Sequence, residues 1–128
     1  MWPTAVSLSG RWIEDQNGDP WAALGDANVV LHHLGDADLA DYLDGLVAHG
    51  ITSVWWKLAM QKLESILIGL SLDKDGNAPF TGTWFQSTPT PAYWDNMERV
   101  VQQCAARGIT CWLYPTWAGW TDDDGDYY

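Results

Sequence analysis

The sequence predicts an α/β fold built on a parallel sheet, for two reasons. A helical pattern followed by Gly-Ile-Thr and an apolar strand occurs twice, as GITSVWWK at residues 50–57 and GITCWLY at residues 108–114. The second apolar run, residues 109–114, hardly alternates, which suits a strand buried on both faces and reached through a covering helix. Helix then strand, repeated, is the pattern of α/β folds. The alternative is that these short runs are turns of buried helices.

Composition limits the classes of function. The 128 residues are enough for one domain, and 17 acidic residues against 6 basic ones give a net charge of -11. Nucleic acid and anionic membrane are therefore excluded as partners. No apolar run is long enough to span a membrane, and no basic region followed by an apolar core marks a signal peptide. If the N-terminus is truncated, an extracellular or periplasmic location is expected.

Near the N-terminus, residues 11–14 and 20–24 flank Asn17-Gly18, a preferred pair for a type I′ turn. We expect a β-hairpin there. Residues 21–26 then form the first buried strand, which ends at Asp26. A carboxylate at the carboxyl end of a parallel strand lies where ligands bind in such sheets.

The first long helix is predicted over residues 36–49, with Asp36 as N-cap and Gly50 just beyond its end. Its apolar positions recur at helical spacing. The preceding loop carries His32 and His33, but adjacent histidines without a third ligand at suitable spacing do not predict a metal site. His33 is the better candidate for a substrate contact.

The second strand, residues 51–56, is followed by Lys57. Residues 58–72 fit a short helix, and residues 73–77 (DKDGN) fit a turn. Neither this turn nor the acidic turn at residues 15–19 has the ligand order of a calcium-binding loop. Residues 79–89 read as a long loop. Thr90 and Pro91 begin the second long helix, which Gly108 ends.

The two cysteines, Cys104 and Cys111, give neither a disulfide framework nor metal-ligand spacing, so both are interpreted as buried thiols. Neither a metal nor a cofactor is predicted. Residues 122–126 form an acidic, solvated tail.

Ten tryptophans are more than a small core readily holds, so some of them are expected to line a groove. Aromatic faces stack on the C–H faces of sugars. Trp12, Trp21 and Trp94 are predicted to be core residues instead.

A succession of short motifs in order resembles the N-terminal part of the apiosidase-like glycoside hydrolases. The motifs are Asn17-Gly-Asp-Pro-Trp-Ala-Ala-Leu-Gly-Asp26, Tyr42-Leu, Ala48-His-Gly-Ile51, Pro79-Phe, Pro91-Ala-Tyr-Trp-Asp, Ala106-Arg-Gly and Leu113-Tyr-Pro-Thr-Trp117. The resemblance covers residues 11–120. It departs from the family at residues 27–30 and in the segment after the second strand.

The resemblance implies a (β/α)₈ barrel that acts on plant and microbial polysaccharide side chains. Such a barrel needs roughly 250 residues, so the chain corresponds to about the first three β/α units, preceded by the β-hairpin. Residues 1–128 then form a single incomplete barrel domain with an acidic tail at 121–128. The catalytic carboxylates of such enzymes are expected at the ends of later strands, around the fourth and seventh.

Two functions are compatible with these features. In the first, the chain is a fragment of a glycoside hydrolase that is inactive alone and supplies substrate-binding rim residues. Asp26, His33 and Lys57 would make polar contacts, and Trp84, Trp117 and Trp120 would stack on sugar rings. The alternatives are a cap or an ion pair with Lys57 for Asp26, and rim packing for the tryptophans. In the second, the chain is a non-catalytic carbohydrate-binding or interaction module. Open sheet edges predict self-association.

Overall fold

A computed structural model of the protein describes residues 2–28, 30–59, 72–82 and 86–114. In these ranges the chain forms two three-stranded sheets, one two-stranded sheet and two long helices. The predicted helix over residues 58–72 and the predicted acidic tail fall outside the described residues, apart from the ends of the former.

An antiparallel sheet of three strands forms the N-terminal part, in the order β1 (Pro3–Val6), β2 (Ile13–Asp15) and β3 (Pro20–Trp21). The predicted hairpin is confirmed as β2 and β3, while β1 was not predicted. The turn differs from type I′: Gly18 N–H donates to the Asp15 carbonyl (3.1 Å), and Gly18 itself has φ +85°. The turn therefore centres on residues 16 and 17, with glycine in the left-handed position that follows.

The parallel sheet consists of β4 (Gly25–Ala27), β5 (Ser53–Lys57) and β8 (Thr110–Tyr114), in that order. This confirms the parallel arrangement that the repeated helix–strand unit predicted. The bounds of the first strand were wrong, because Trp21 belongs to the antiparallel hairpin. A turn in which Leu24 N–H donates to the Ala22 carbonyl (2.9 Å) separates the two strands.

The two helices are α1 (Asp36–Ala48) and α2 (Pro91–Ala106). The N-cap of α1 is Gly35 rather than Asp36, whose carboxylate instead accepts a hydrogen bond from Arg99 of α2 (2.6 Å). Thr90 is the N-cap of α2, as predicted, although its hydroxyl makes no capping bond. Gly50 and Gly108, with φ +73° and +70°, follow the helices where the left-handed region was expected.

The hydrophobic core lies between the two helices and one face of the parallel sheet. It is formed by β5 (Val54, Trp56), α1 (Leu39, Leu43), α2 (Tyr93, Met97, Val100, Cys104), Leu31 and Ile109. Ion pairs from Arg99 to Asp36 and from Arg107 to Asp44, each 2.6 Å long, join α2 to α1 at the surface. Because the partner carboxylates are exposed, these pairs contribute little compared with the core.

The prediction that β8 is buried on both faces was wrong. Trp112 and Leu113 are 40% and 43% exposed, since within the described residues β8 is the edge of the sheet. Trp12 was also wrong as a core residue, because it is 45% exposed, whereas Trp21 is buried as predicted and Trp94 is half-buried.

The turn at residues 73–77 is confirmed, with Gly76 at φ +83°. The predicted loop over residues 79–89 instead contains a short antiparallel pair, β6 (Phe80–Thr81) and β7 (Thr88–Pro89). None of the helices in the described ranges is long and apolar enough to cross a membrane.

Candidate functional site

The carboxyl ends of β4, β5 and β8 meet at one edge of the parallel sheet. The helices run antiparallel to the strands, so the N-terminus of α2 lies at the same edge. A 3₁₀ turn (Leu31–His33) follows β4 there, and the turn at residues 73–77 contacts it through a hydrogen bond from Lys74 N–H to the His32 carbonyl (3.1 Å). This edge is where α/β sheets bind ligands.

The strand register divides the strand residues between two faces. Val54 and Trp56 pack on the helices, so side chains alternate and Ser53, Trp55 and Lys57 lie on the opposite face. We call this the helix-free face, because neither of the two long helices of the described residues packs on it. Parallel pairing places Gly25 and Ala27 of β4, and Thr110, Trp112 and Tyr114 of β8, on that same face. These strand residues include no carboxylate.

Asp26 pairs with Val54 in the register and therefore lies on the helix side of the sheet. Its Oδ2 accepts a hydrogen bond from the Tyr42 hydroxyl of α1 (2.6 Å). Burial and this hydrogen bond raise the pKa of Tyr42 to about 12, so the phenol keeps its proton well above neutral pH. Asp26 is not the N-cap of the helices that follow it, which begin after Val30 and Gly35; it ties α1 to the end of β4.

Lys57 is the last residue of β5 and lies on the helix-free face at the carboxyl edge, with only 1% of its surface exposed. His33 is half-buried in the 3₁₀ turn at the same edge, with its ring centroid 4.5 Å from that of His32. Both residues occupy the edge at which the sequence predicted them. Trp84, Trp117 and Trp120 fall outside the described residues.

Two aromatic residues on the helix-free face were missed as site candidates. Trp55 is 52% exposed, and its ring centroid lies 6.2 Å from that of Trp112 on the neighbouring strand. The signal was available in the sequence, because Trp55 is two residues before Lys57 and must share its face in a strand. The pair forms an aromatic surface below the carboxyl edge.

The first turns of α2 hold three loops of this edge by hydrogen bonds to their backbone carbonyls. The Tyr93 hydroxyl donates to Leu58 (2.9 Å), Trp94 Nε1 to Pro79 (3.0 Å) and Asn96 Nδ2 to His32 (2.9 Å). Sequence reasoning assigned Tyr93 and Trp94 only to an apolar stripe and overlooked Asn96. Helical periodicity reports which face is buried and not which polar atoms on that face find partners.

Arg99 completes this contact with the loop before α1. Its guanidinium donates to Asn96 Oδ1 (2.9 Å), to the Leu34 carbonyl (2.8 Å) and to Asp36 (2.6 Å). Asn96 and Arg99 together therefore fix the segment that carries His33. We call these two residues the loop clamp.

Asp73 organises the neighbouring turn. Its Oδ1 accepts hydrogen bonds from the backbone N–H groups of Asn77 (2.8 Å) and Asp75 (3.0 Å), and the Asn77 amide also contacts it. Burial by itself would raise the pKa of Asp73, but these hydrogen bonds hold it below its usual value. Asp15 makes the same two backbone bonds to Asn17 and Asp19, so the carboxylates build turns rather than an ion site.

A shallow groove of about 530 Å³ lies on the helix side, between β4 and α1. It is lined by Asp26 and Tyr42 together with Leu46, His49 and Ile51. Within the described ranges, no group of three or more His, Cys, Asp or Glu side chains could hold a metal ion.

The model of a family described as "Apiosidase-like, catalytic domain" matches residues 7–127. None of the curated proteins matches the chain significantly. A solved structure described as a glycoside hydrolase is 19% identical with a TM-score of 0.69, and the match covers 91% of this chain and 26% of the other. A family 5 glycoside hydrolase from Bacteroides vulgatus is 21% identical with a TM-score of 0.63, and the match covers 87% of this chain and 24% of the other.

At these identities the similarity concerns the fold: two helices and a parallel sheet arranged as in family 5-like barrel proteins. The chain spans about a quarter of the length of these solved structures.

Proposed function

The chain belongs to the family of apiosidase-like catalytic domains, and on that premise we propose that it is the first part of a (β/α)₈-barrel glycoside hydrolase that acts on polysaccharide side chains. In this proposal residues 1–128 are one incomplete barrel domain. The chain supplies part of the substrate-binding rim, and the catalytic carboxylate pair belongs to strands beyond it.

One observation carries the proposal: among the described residues, both long helices pack on the same face of the parallel sheet. Three parallel strands with a covering helix layer match the wall of a barrel, whose other strands would cover the exposed pair Trp55 and Trp112. The matches cover 87–91% of this chain but only 24–26% of the similar solved structures, which is consistent with a segment of a longer protein.

The rim residues are those at the carboxyl edge. Lys57 would offer a cation to sugar hydroxyls from the end of β5, and His33 a ring nitrogen from the loop after β4. Trp84, Trp117 and Trp120 would stack on sugar rings, since aromatic faces match the C–H faces of sugars. Asp26, held by Tyr42 on the helix side, would act on substrate only indirectly, by fixing the end of β4.

The described carboxylates support the proposal that this chain alone is inactive. Glycoside hydrolysis requires two carboxyl groups about 5–9.5 Å apart on either side of the bond that breaks. The described strand residues of the helix-free face include none, and the two well-placed aspartates, Asp26 and Asp73, are engaged by Tyr42 and by their own turn. The later strands would provide the acid and its partner.

The test is an assay of the chain against a panel of branched plant and microbial polysaccharides. Reducing-sugar release measures hydrolysis, and retardation in polysaccharide-containing native gels measures binding. We expect no hydrolysis, together with weak retardation that Lys57→Met reduces and the exposed-surface control Gln102→Ala does not. Sugar release that Asp26→Asn abolishes would contradict the proposal.

A carbohydrate-binding module is the second candidate, favoured by the exposed Trp55–Trp112 pair. The two candidates differ in the behaviour of the chain in solution. A monodisperse monomer that melts cooperatively and binds glycan tightly, with Trp55→Ala abolishing retardation, would favour the module. A chain that self-associates through its open sheet edges would favour the barrel segment.

A further inference from the structure

The only two cysteines of the chain lie on either side of one helix–strand junction. Cys104 is in the last turn of α2, and Cys111 is the second residue of β8. The connection between them is tight: Ile109 N–H donates to the Cys104 carbonyl (3.0 Å), and Gly108 reverses the chain at φ +70°. Helix and strand therefore pack directly against each other at the cysteines.

The strand register points the Cys111 side chain at the helix. Cys111 pairs with Val54, which packs in the core beneath the helices, so both side chains lie on the helix side of the sheet. Cys104 is fully buried in that same core, whereas Cys111 is half-buried. Cys104 is part of the core cluster, and Cys111 packs against that cluster.

The two thiols differ in reactivity. The neighbouring Cys104 thiol lowers the pKa of Cys111 and outweighs the effect of burial, while the neighbouring Cys111 thiol and burial both raise the pKa of Cys104. The positive charge of Arg107, just after α2, lowers the pKa of Cys104 but is outweighed by these two effects. The more accessible thiol is thus also the more acidic one, which is the arrangement of an attacking thiol backed by a buried resolving thiol.

We propose that Cys104 and Cys111 form a thiol–disulfide exchange site, at which a low-molecular-weight disulfide such as oxidised glutathione converts the dithiol into an intramolecular disulfide. The Cys111 thiolate attacks one glutathione sulfur, forming a mixed disulfide and releasing glutathione thiolate. Cys104 then loses its proton to solvent, and its sulfur attacks Cys111 Sγ and displaces the second glutathione. Two protein thiols and one glutathione disulfide become one protein disulfide and two glutathione thiols.

The disulfide would fasten β8 to α2. Within the described residues β8 is an edge strand, held on one side only by β5. A covalent link between residues 104 and 111 restricts the unfolded chain and holds the strand on its helix. The site is independent of the glycoside hydrolase proposal, since no rim residue takes part.

The experiment incubates the reduced, folded chain with oxidised glutathione and follows free thiols, intact mass and non-reducing electrophoresis. We expect both thiols to disappear, the mass to fall by two hydrogen atoms, and the chain to remain a covalent monomer. The oxidised form should melt about 5–10 °C higher than the reduced form. A stable glutathione adduct on the wild type, a disulfide-linked dimer, or oxidation only after unfolding in guanidinium would overturn the proposal.

Single variants separate the two roles. Cys104→Ser should accumulate the mixed disulfide at Cys111, because the resolving thiol is gone. Cys111→Ser should stay unmodified, because the remaining thiol is buried. Equal reactivity of both variants would overturn the assignment of roles, and the wild-type measurement remains decisive if either variant fails to fold.

Discussion

Replacing Asn96 tests whether the loop clamp stabilises the fold. Asn96 is buried, donates Nδ2–H to the His32 carbonyl (2.9 Å) and accepts from Arg99 Nε (2.9 Å). Asn96→Ala removes both bonds, while the hydrogen bond from Lys74 N–H to the His32 carbonyl remains. A neutral buried hydrogen bond contributes about 1 kcal/mol and one to a charged group about 1.5 kcal/mol, so we expect a loss of about 2.5 kcal/mol.

This loss converts into a measurable shift. At about 2.1 cal/mol/K per residue, the entropy of unfolding for the chain is about 0.27 kcal/mol/K, so Tm should fall by about 9 °C. Urea unfolding followed by tryptophan fluorescence gives the free energy directly. Hydrogen exchange should accelerate in residues 30–36, which the clamp holds, more than in β5.

Two companion variants identify the bond responsible. Asn96→Asp keeps the acceptor for Arg99 but loses the donor to His32, so it should also be destabilised. Gln102→Ala, on the same helix, removes only an exposed bond to Glu98 and should change stability by less than about 0.5 kcal/mol. An Asn96→Ala variant as stable as Gln102→Ala would refute the stabilising role of the loop clamp. If Asn96→Asp is as stable as the wild type, the loss in Asn96→Ala comes from the hydrogen bond with Arg99 and not from the one to His32.

Three further predictions use the same unfolding assay or a solution measurement. Gly25→Ala should destabilise the chain by about 1–3 kcal/mol, because the new Cβ would meet Ser53 Oγ at 2.7 Å. Gly45→Ala, whose Cβ would enter open space beside α1, should stabilise the chain by about 0.5–1 kcal/mol. Equal effects of the two substitutions would contradict the close approach at Gly25. The pKa of Asp73 is lowered in the folded chain, so the stabilisation that its carboxylate provides is complete above the unfolded pKa of about 3.9 and is lost as pH falls through the folded pKa. Asp73→Ala should therefore be less stable near neutral pH, and its stability should depend less on pH below about pH 4. Parallel pH profiles of variant and wild type would refute this. Sedimentation should show concentration-dependent self-association through the edges of the parallel sheet, and a strict monomer across the range would contradict it.

The repeated helix–strand unit was sufficient to predict the parallel sheet. Glycines at 50 and 108 end their helices in the left-handed region, and this local requirement is visible in a single sequence. Helix α2 was equally well specified, because Thr90, Pro91 and its apolar spacing all agree.

The errors arose where a short segment has two compatible structures. Trp21 suits both a hairpin strand and a buried strand, and only the pairing of Ile13 with Trp21 decides between them. Strand β1 was missed although Ser9-Gly10 is a turn signal between β1 and β2: Gly10 N–H donates to the Ser7 carbonyl (2.8 Å), and Gly10 has φ +69°. Asp36 has the side chain of an N-cap, but its ion pair with Arg99 depends on the packing of α2 against α1, which periodicity does not specify.

Ligands bind at the carboxyl ends of parallel strands, and the contrast between Asp26 and Lys57 shows how far this rule predicts a site from sequence. Both residues lie at the carboxyl ends of neighbouring parallel strands, and the sequence assigned both to one site. The register pairs Asp26 with Val54, three residues before Lys57, so the two side chains emerge on opposite faces of the sheet. Lys57 therefore lies on the helix-free face, while Asp26 holds α1 through Tyr42. The face of a strand residue follows from its phase relative to a buried neighbour, and for Asp26 that neighbour is on another strand, 28 residues along the chain.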